Sequence, residues 1–371
     1  MAHTDLPALC KTEHLSAIPG TTPEQVRAAI ARAAQILQAG GTVAFPTETV
    51  YGLAANALSP AAVEGIFTAK SRPHWDPLIV HIASPAMLGQ VALVPPELQP
   101  RVAALIAAHW PGPLTLLLSR TSAIPDAVTA GRSLVGVRIP AHPLAHALLQ
   151  ATGLPLAAPS ANRFGHTSPT TAAHVLDDLD GRIDALLDGG PSQVGVESTV
   201  LDPAAMLVYR PGAVTLAQLT ATTGHPAALY SPTQTTPTHP ESLPSPGVGI
   251  RHYAPRARLI LIESPSPAAA APNLAAATNQ ALLTAARTAA DQRPNQRPIG
   301  IMLPTGWQAP PAAELFPWGD WSDHDQLAQR LFAGLRDLDA RNVALILCPV
   351  PPGDGIAAAL RDRLEKAARP A

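Results

Sequence analysis

The 371-residue chain is 47% hydrophobic and only 14% charged, with a formal net charge of −2. That length fits two domains of roughly 100–200 residues each, and the apolar fraction is enough to give both a core. A duplex-binding protein draws most of its affinity from phosphate neutralisation by a basic excess, so the near-zero charge argues against stable nucleic-acid binding while leaving room for a brief contact with tRNA. The 42 prolines are read partly as a compositional bias of the genome. Cys10 and Cys348 are far apart and form no C-x-x-C, which leaves a disulfide framework or a cysteine zinc site unsupported. The opening MAHTDLPALCKTEH has no apolar h-region, and no apolar run reaches the ~18 residues of a membrane span. The expectation is a cytoplasmic enzyme without a membrane segment.

In chain order, residues 1–22 read as a polar leader. A helix follows, with Thr22 as cap, Pro23 in the first turn and an apolar stripe of Val26, Ala29, Ile30, Ala33, Ile36 and Leu37, stopped by Gly40-Gly41. A short strand at 42–45 ends at Pro46. Ser59-Pro60 opens a second helix, and 78–82 is a buried-type strand. A helix at 96–109, strands at 114–118, 134–139 and 154–158, a helix at 144–150, and strands at 185–187, 196–201 and 207–209 complete an alternating α/β pattern over 23–221. Residues 222–257 are rich in Pro, Thr, Ser and His and read as a linker. Beyond it, three strand-like runs at 258–262, 299–303 and 343–347 are each followed by helical sequence. This β-α-β order predicts a small parallel Rossmann-like domain over 258–371.

The chain has no G-x-x-x-x-G-K-[ST], no complete G-x-G-x-x-G, no H-E-x-x-H and no G-x-S-x-G. Polar residues gather instead at strand ends, where α/β folds bind ligands. FPTETVYGL (45–53) is either a turn with capping hydroxyls or a ligand loop carrying Thr49. Lys70 and Arg72 either complement a helix dipole or hold a polyphosphate, Lys as a point charge and Arg as a fork. His81 lies within an apolar strand, as a satisfied core residue or a ligand. Arg138, in a strand of the same kind, needs a carboxylate from the protein or from an amino-acid substrate. Ala158, Ser160 and Asn162 sit where an apolar strand opens into a small polar loop, and Ser168 begins the next segment. Ser198 and Arg210 lie beside later strands. Their shared position at strand ends makes one pocket plausible.

Taken together, FPTETVYGL, AKSRP followed by DPLIVHI, WPGPLTLLL, VGVRIPAHP, PLAAPSAN, LLDGG, GVESTV and RPG resemble the threonylcarbamoyl-AMP synthase family, also called YrdC-like proteins, over about residues 24–216. The linker's SPG and RHYAP and the extra C-terminal domain resemble the family's long form. The resemblance implies a twisted, open α/β sheet around a concave cavity. It also implies synthesis of threonylcarbamoyl-adenylate from L-threonine, bicarbonate and ATP, serving a downstream threonylcarbamoyl transferase complex. By the same resemblance threonine contacts Thr49, His81, Arg138, the backbone at Ala158, and Ser198. ATP contacts Lys70, Arg72, Asp76, Leu134, Ser160, Asn162, Ser168 and Arg210. Lys70 and Arg72 carry the catalytic charge, and Tyr253 closes over the nucleotide as part of a lid at 245–255. Magnesium travels with the triphosphate, with no protein metal site.

Three positions depart from the family pattern. Leu134 stands where a hydroxyl residue is common, so any ATP contact there must use backbone. Gly249 and Ile250 replace a basic and an aromatic residue of the linker, which weakens closure, while Arg251 keeps one charge. A double-stranded RNA or tRNA binding module is the alternative reading, and it would call for a basic surplus outside the pocket.

Overall fold

Capping and apolar periodicity set the first elements. The Thr22 hydroxyl accepts the N–H of Gln25 at 3.3 Å, and Gln25 Oε1 accepts the N–H of Thr22 at 3.1 Å. This reciprocal box opens the helix Pro23–Gln38, satisfying two donors that a helix start leaves bare. Its buried stripe is Ala29, Ala33, Ala34 and Leu37. Ser59 caps the helix Pro60–Lys70 by a single bond, its hydroxyl accepting the N–H of Ala62 at 3.3 Å, and that helix ends at Ser71 in the left-handed region, φ 51°. The Arg72 N–H then returns to the carbonyl of Phe67 at 3.0 Å, fixing the corner on which Arg72 stands.

The structure, a computed structural model, describes residues 11–231, 252–263, 274–291 and 297–369. Within these, the first sheet has twelve strands: β1 (Glu13–Ser16), β2 (Val43–Phe45), β3 (Gly52–Asn56), β4 (Ile79–His81), β5 (Ala92–Leu93), β6 (Leu114–Arg120), β7 (Leu134–Arg138), β8 (Leu156–Ala157), β9 (Ala185–Asp188), β10 (Thr199–Asp202), β11 (Leu207–Arg210) and β12 (Ala228–Leu229). Their order is β1-β9-β2-β3-β8-β4-β7-β6-β10-β11-β12, with β5 added on β6. The sheet is mixed: β2–β3, β3–β8, β4–β8, β6–β7 and β10–β11 run antiparallel, while β4–β7 and β6–β10 run parallel. The parallel register sets His81 directly opposite Arg138.

The second sheet has four strands, all parallel: β13 (Arg258–Ile262), β14 (Ile299–Pro304), β15 (Glu314–Gly319) and β16 (Leu345–Pro349), in the order β13-β16-β14-β15. Helices Leu274–Asp291, His324–Ala340 and Ile356–Ala368 complete this C-terminal part. Its core is not confined to it. Val50 and Val196 of the first part, and Tyr253, belong to the same buried cluster as Trp318, Leu331, Phe332 and Leu360. Among the described residues no helix is long and apolar enough to cross a membrane.

The structure departs from the sequence expectations in several places. The stretch read as a polar leader contains β1, which pairs in parallel with β9 from Glu13↔Ala185 to Ser16↔Asp188. As an edge strand of alternating exposed and half-buried residues, it has too little apolar content to stand out. The stretch read as a linker from 222 begins inside the helix Leu216–Thr223 and then forms β12 against β11. The SPG motif, Gly247, Gly249, Ile250 and Arg251 lie outside the described residues. In the C-terminal part, β15 is a strand beyond the three expected. Pro317 lies inside it, and its edge position is where a sheet tolerates a residue without an N–H.

Candidate active site

Strand ends and loops of the first sheet form a partly open cavity, lined by residues that include Thr47, Thr49, Arg72, His81, Arg138, Ala158, Ser160, Glu197, Ser198, Arg210, His252 and Tyr253. The loop between β2 and β3 is tied together by hydrogen bonds of its own hydroxyls. Thr47 Oγ1 donates to Val50 O at 2.6 Å and lies 2.8 Å from Thr49 Oγ1. Since the Thr47 hydrogen is committed to Val50, Thr49 donates to Thr47. The Thr49 oxygen in turn accepts from both Nη atoms of Arg138, each at 3.2 Å. Glu48 Oε2 lies 3.6 Å from Arg138 and accepts the N–H of Ala141 at 3.1 Å. Arg138 Nε and His81 Nδ1 are buried without a hydrogen-bond partner. Burial, followed by the neighbouring Arg138, pushes the His81 imidazole well below its usual range, so His81 is neutral near pH 7.

Two further arginines share the cavity. Arg72 donates to the carbonyls of Asp76 (3.1 Å) and Pro77 (2.8 Å) and pairs with the Asp76 carboxylate at 2.9 Å. Burial alone would raise Asp76, but Arg72, His252 and Lys70 outweigh it and hold the carboxyl below its ordinary value. Arg210, the last residue of β11, donates to Ser198 O at 3.0 Å and Ser198 Oγ at 3.1 Å, and Ser198 Oγ lies 2.8 Å from Thr115 Oγ1. Arg72 and Arg138 are each lowered by burial, and Arg210 adds repulsion to both. Buried like charges so close favour an anionic ligand. Among the described residues, no group of three or more His, Cys, Asp or Glu side chains is placed to hold a metal ion.

The expected site residues separate into those that line the cavity and those behind it. Thr49, Arg72, His81, Arg138, Ala158, Ser160, Ser198, Arg210 and Tyr253 line it; Lys70, Asp76, Leu134, Asn162 and Ser168 are not among the lining residues. Lys70, expected as a cation for phosphate, is fully buried and donates to the main-chain oxygens of Ser160, at 2.6 Å, and Asn162. Burial, followed by repulsion from Arg72, holds its ammonium well below the usual lysine range. Asn162 Nδ2 donates to the carbonyls of Arg163 and His166, both at 2.8 Å. Ser168 Oγ donates to Glu197 Oε1 at 2.5 Å. Leu134, at the start of β7, rests on the small cluster of Ile79, Leu117 and Val200. Within RHYAP, His252 lies 3.5 Å from the Asp76 carboxylate and edge-on to Phe164, while the Tyr253 ring stacks on Phe332 at 5.6 Å. Thr47, Glu48 and Glu197 were missed as site residues, although each sits inside a motif singled out for its hydroxyls.

This geometry can be set beside known proteins. Residues 35–212 match the Sua5_yciO_yrdC family, described as "Telomere recombination", and residues 214–369 match Sua5_C, "Threonylcarbamoyl-AMP synthase, C-terminal domain". The threonylcarbamoyl-AMP synthase of Pyrococcus abyssi is 37% identical over 90% of this chain and 92% of its own length. The chain belongs to the threonylcarbamoyl-AMP synthase family. The Bacillus subtilis threonylcarbamoyl-AMP synthase is 39% identical over 91% of this chain and 92% of its own length. The crystal structure of P. abyssi Sua5 complexed with L-threonine superposes with a TM-score of 0.83 at 34% identity, covering 96% of this chain and 98% of the other. The chain is therefore an enzyme of the long form, with both parts of the family architecture.

Proposed function

We propose that this chain is a nucleotidyltransferase that makes L-threonylcarbamoyladenylate from L-threonine, bicarbonate and ATP, releasing pyrophosphate. The product supplies a downstream threonylcarbamoyl transferase complex for N6-threonylcarbamoyladenosine in tRNAs that read codons beginning with A. The observation that carries this reading is one cavity in which Arg138, its Nε unpartnered, stands opposite a neutral His81 and shares the space with Arg72 and Arg210. A planar fork suits an amino-acid carboxylate, and paired buried arginines suit a polyphosphate.

The reaction needs positioning more than an enzyme nucleophile. Threonine's carboxylate binds Arg138, whose plane Thr49 fixes. The threonine ammonium first gives up one proton; the amine nitrogen then attacks the bicarbonate carbon and water leaves, giving the carbamate. His81, neutral, offers a lone pair to an amine proton. A carbamate oxygen then attacks the α-phosphorus of ATP. The bond from that phosphorus to the bridging oxygen of the β-phosphate breaks, and pyrophosphate leaves with the electron pair. Arg72 and Arg210 answer the charge developing on phosphate. Ser160 and Ser198 offer hydroxyls, and the backbone at Ala158 frames threonine. Lys70, Asp76, Asn162 and Ser168 act from behind: Lys70 holds the Ser160–Asn162 loop, Asp76 orients Arg72, and Ser168 anchors Glu197. Magnesium belongs to the substrate, carried on the triphosphate. The test is pyrophosphate release by the pure chain with ATP and magnesium. Release should require both L-threonine and bicarbonate, and ATP turnover indifferent to threonine would overturn the assignment.

A further inference from the structure

We infer that Arg363, on the helix Ile356–Ala368 of the C-terminal part, is a positioning residue for the catalytic cavity: it neutralises Glu197 so that Arg210 keeps its place on Ser198 at the cavity wall, where it meets the nucleotide's phosphates. The inference rests on the function proposed above. The Arg363 side chain is completely buried, and its Nε donates to Glu197 Oε2 at 2.6 Å. One Nη donates to the carbonyl of Pro211, the residue after Arg210, at 3.0 Å. The guanidinium lies over the Tyr253 ring, 5.2 Å from its centroid. Asp362 takes the other Nη and is itself held by Lys366 at 2.7 Å. A single buried cation thus ties together three cavity-lining segments that are remote in sequence: Glu197-Ser198, Arg210-Pro211 and Tyr253.

The charge arrangement gives this contact a consequence beyond packing. Glu197 is buried, and burial by itself would raise its carboxyl; Arg363, then Arg210, then the Ser168 hydroxyl reverse that and keep it ionised. Arg210 is thus the second cation acting on Glu197. With Arg363 gone, Glu197 keeps its charge only by turning to Arg210, because an unpaired buried carboxylate is costly. That would draw Arg210 away from Ser198 and from the cavity. A second contact from the C-terminal part reinforces the geometry. Arg336 donates to Thr167 O at 2.5 Å and Asp178 Oδ2 at 2.6 Å, so the two C-terminal arginines bracket Ser168. Gly195 leaves no room between the parts: a Cβ there would stand 2.4 Å from Ala328 O. The segment that presents Glu197 and Ser198 is clamped from behind by the C-terminal part.

The test compares the full-length chain with Arg363→Met and Arg363→Met/Glu197→Gln, measuring KM for ATP and for threonine by pyrophosphate release, with circular dichroism as the folding control. Arg363→Met is expected to raise the ATP KM about tenfold or more and the threonine KM by clearly less, since Arg138, His81 and Thr49 are untouched and only Ser198 among the expected threonine contacts feels the change. The double variant removes the unpaired carboxylate and is expected to lower the ATP KM relative to Arg363→Met. An unchanged ATP KM in the single variant, equal rises in both KM values, or no recovery in the double variant would overturn the inference and leave Arg363 as interdomain packing only. If Arg363→Met does not fold, Arg363→Lys carries the comparison. Lysine keeps the charge but reaches fewer partners, so a rise of about threefold in the ATP KM alone is expected, and wild-type values would overturn the inference. Wild-type enzyme runs alongside: failure of its own threonine- and bicarbonate-dependent release would count against the proposed function, not against this contact.

Discussion

Replacing Arg138 with lysine keeps a positive charge on β7 and removes a planar fork. Arg138 places two Nη donors on Thr49 Oγ1, each at 3.2 Å, and holds its Nε unpartnered and buried. Glu48, at 3.6 Å, is too distant to hold the guanidinium by a direct hydrogen bond. A lysine ammonium can meet a substrate carboxylate with one bond instead of two, and a hydrogen bond to a charged group is worth about 1.5–3 kcal/mol. At 1.4 kcal/mol per decade this weakens threonine binding by about 10- to 150-fold. The fold itself loses the bonds to Thr49, about 1 kcal/mol, because Thr49 remains tied to Thr47. The assay is pyrophosphate release with threonine varied at saturating ATP, together with calorimetric titration of threonine. The threonine KM should rise by that factor and the ATP KM should stay within about twofold. An unchanged threonine KM would refute the reasoning and leave Arg138 as a structural partner of Glu48 and Thr49.

Two further outcomes are expected. Tyr253→Ala removes a buried ring that stacks on Phe332 and lies against Arg363; the yield of intact adenylate should fall while far-UV circular dichroism is preserved, and an equal yield would remove Tyr253 from the site. His174 accepts the Thr170 N–H on Nδ1 at 3.3 Å, and burial, followed by Arg336, lowers its pKa to about 4. The folded state therefore favours the neutral ring: this stability is fully present above the unfolded value near 6.5 and is lost as pH falls towards about 4, by at most about 3 kcal/mol. The fall in Tm between pH 7 and pH 5 should shrink in His174→Gln, and an identical fall would refute the assignment.

What the sequence determined is local. Thr22 and Ser59 announce helix starts because a hydroxyl has only to reach the backbone two or three residues on. The small and hydroxyl residues after strands mark where ligands meet a sheet, and nine of the expected side chains do line one cavity. The strand Gly52–Asn56 escaped notice because GLAAN has neither β-branched residues nor alternation. Only the tertiary structure could decide the partners of the buried charges. Lys70 and Arg72 are two residues apart, yet one holds carbonyls about ninety positions away, Ser160 and Asn162, while the other stays by Asp76 and faces the cavity. Arg363 meets Glu197 across 166 positions, in a helix whose periodicity says only that one face is buried. A buried charge is fixed by whatever opposite charge or carbonyl the fold brings within about 3 Å, and that distance is a property of the packed chain.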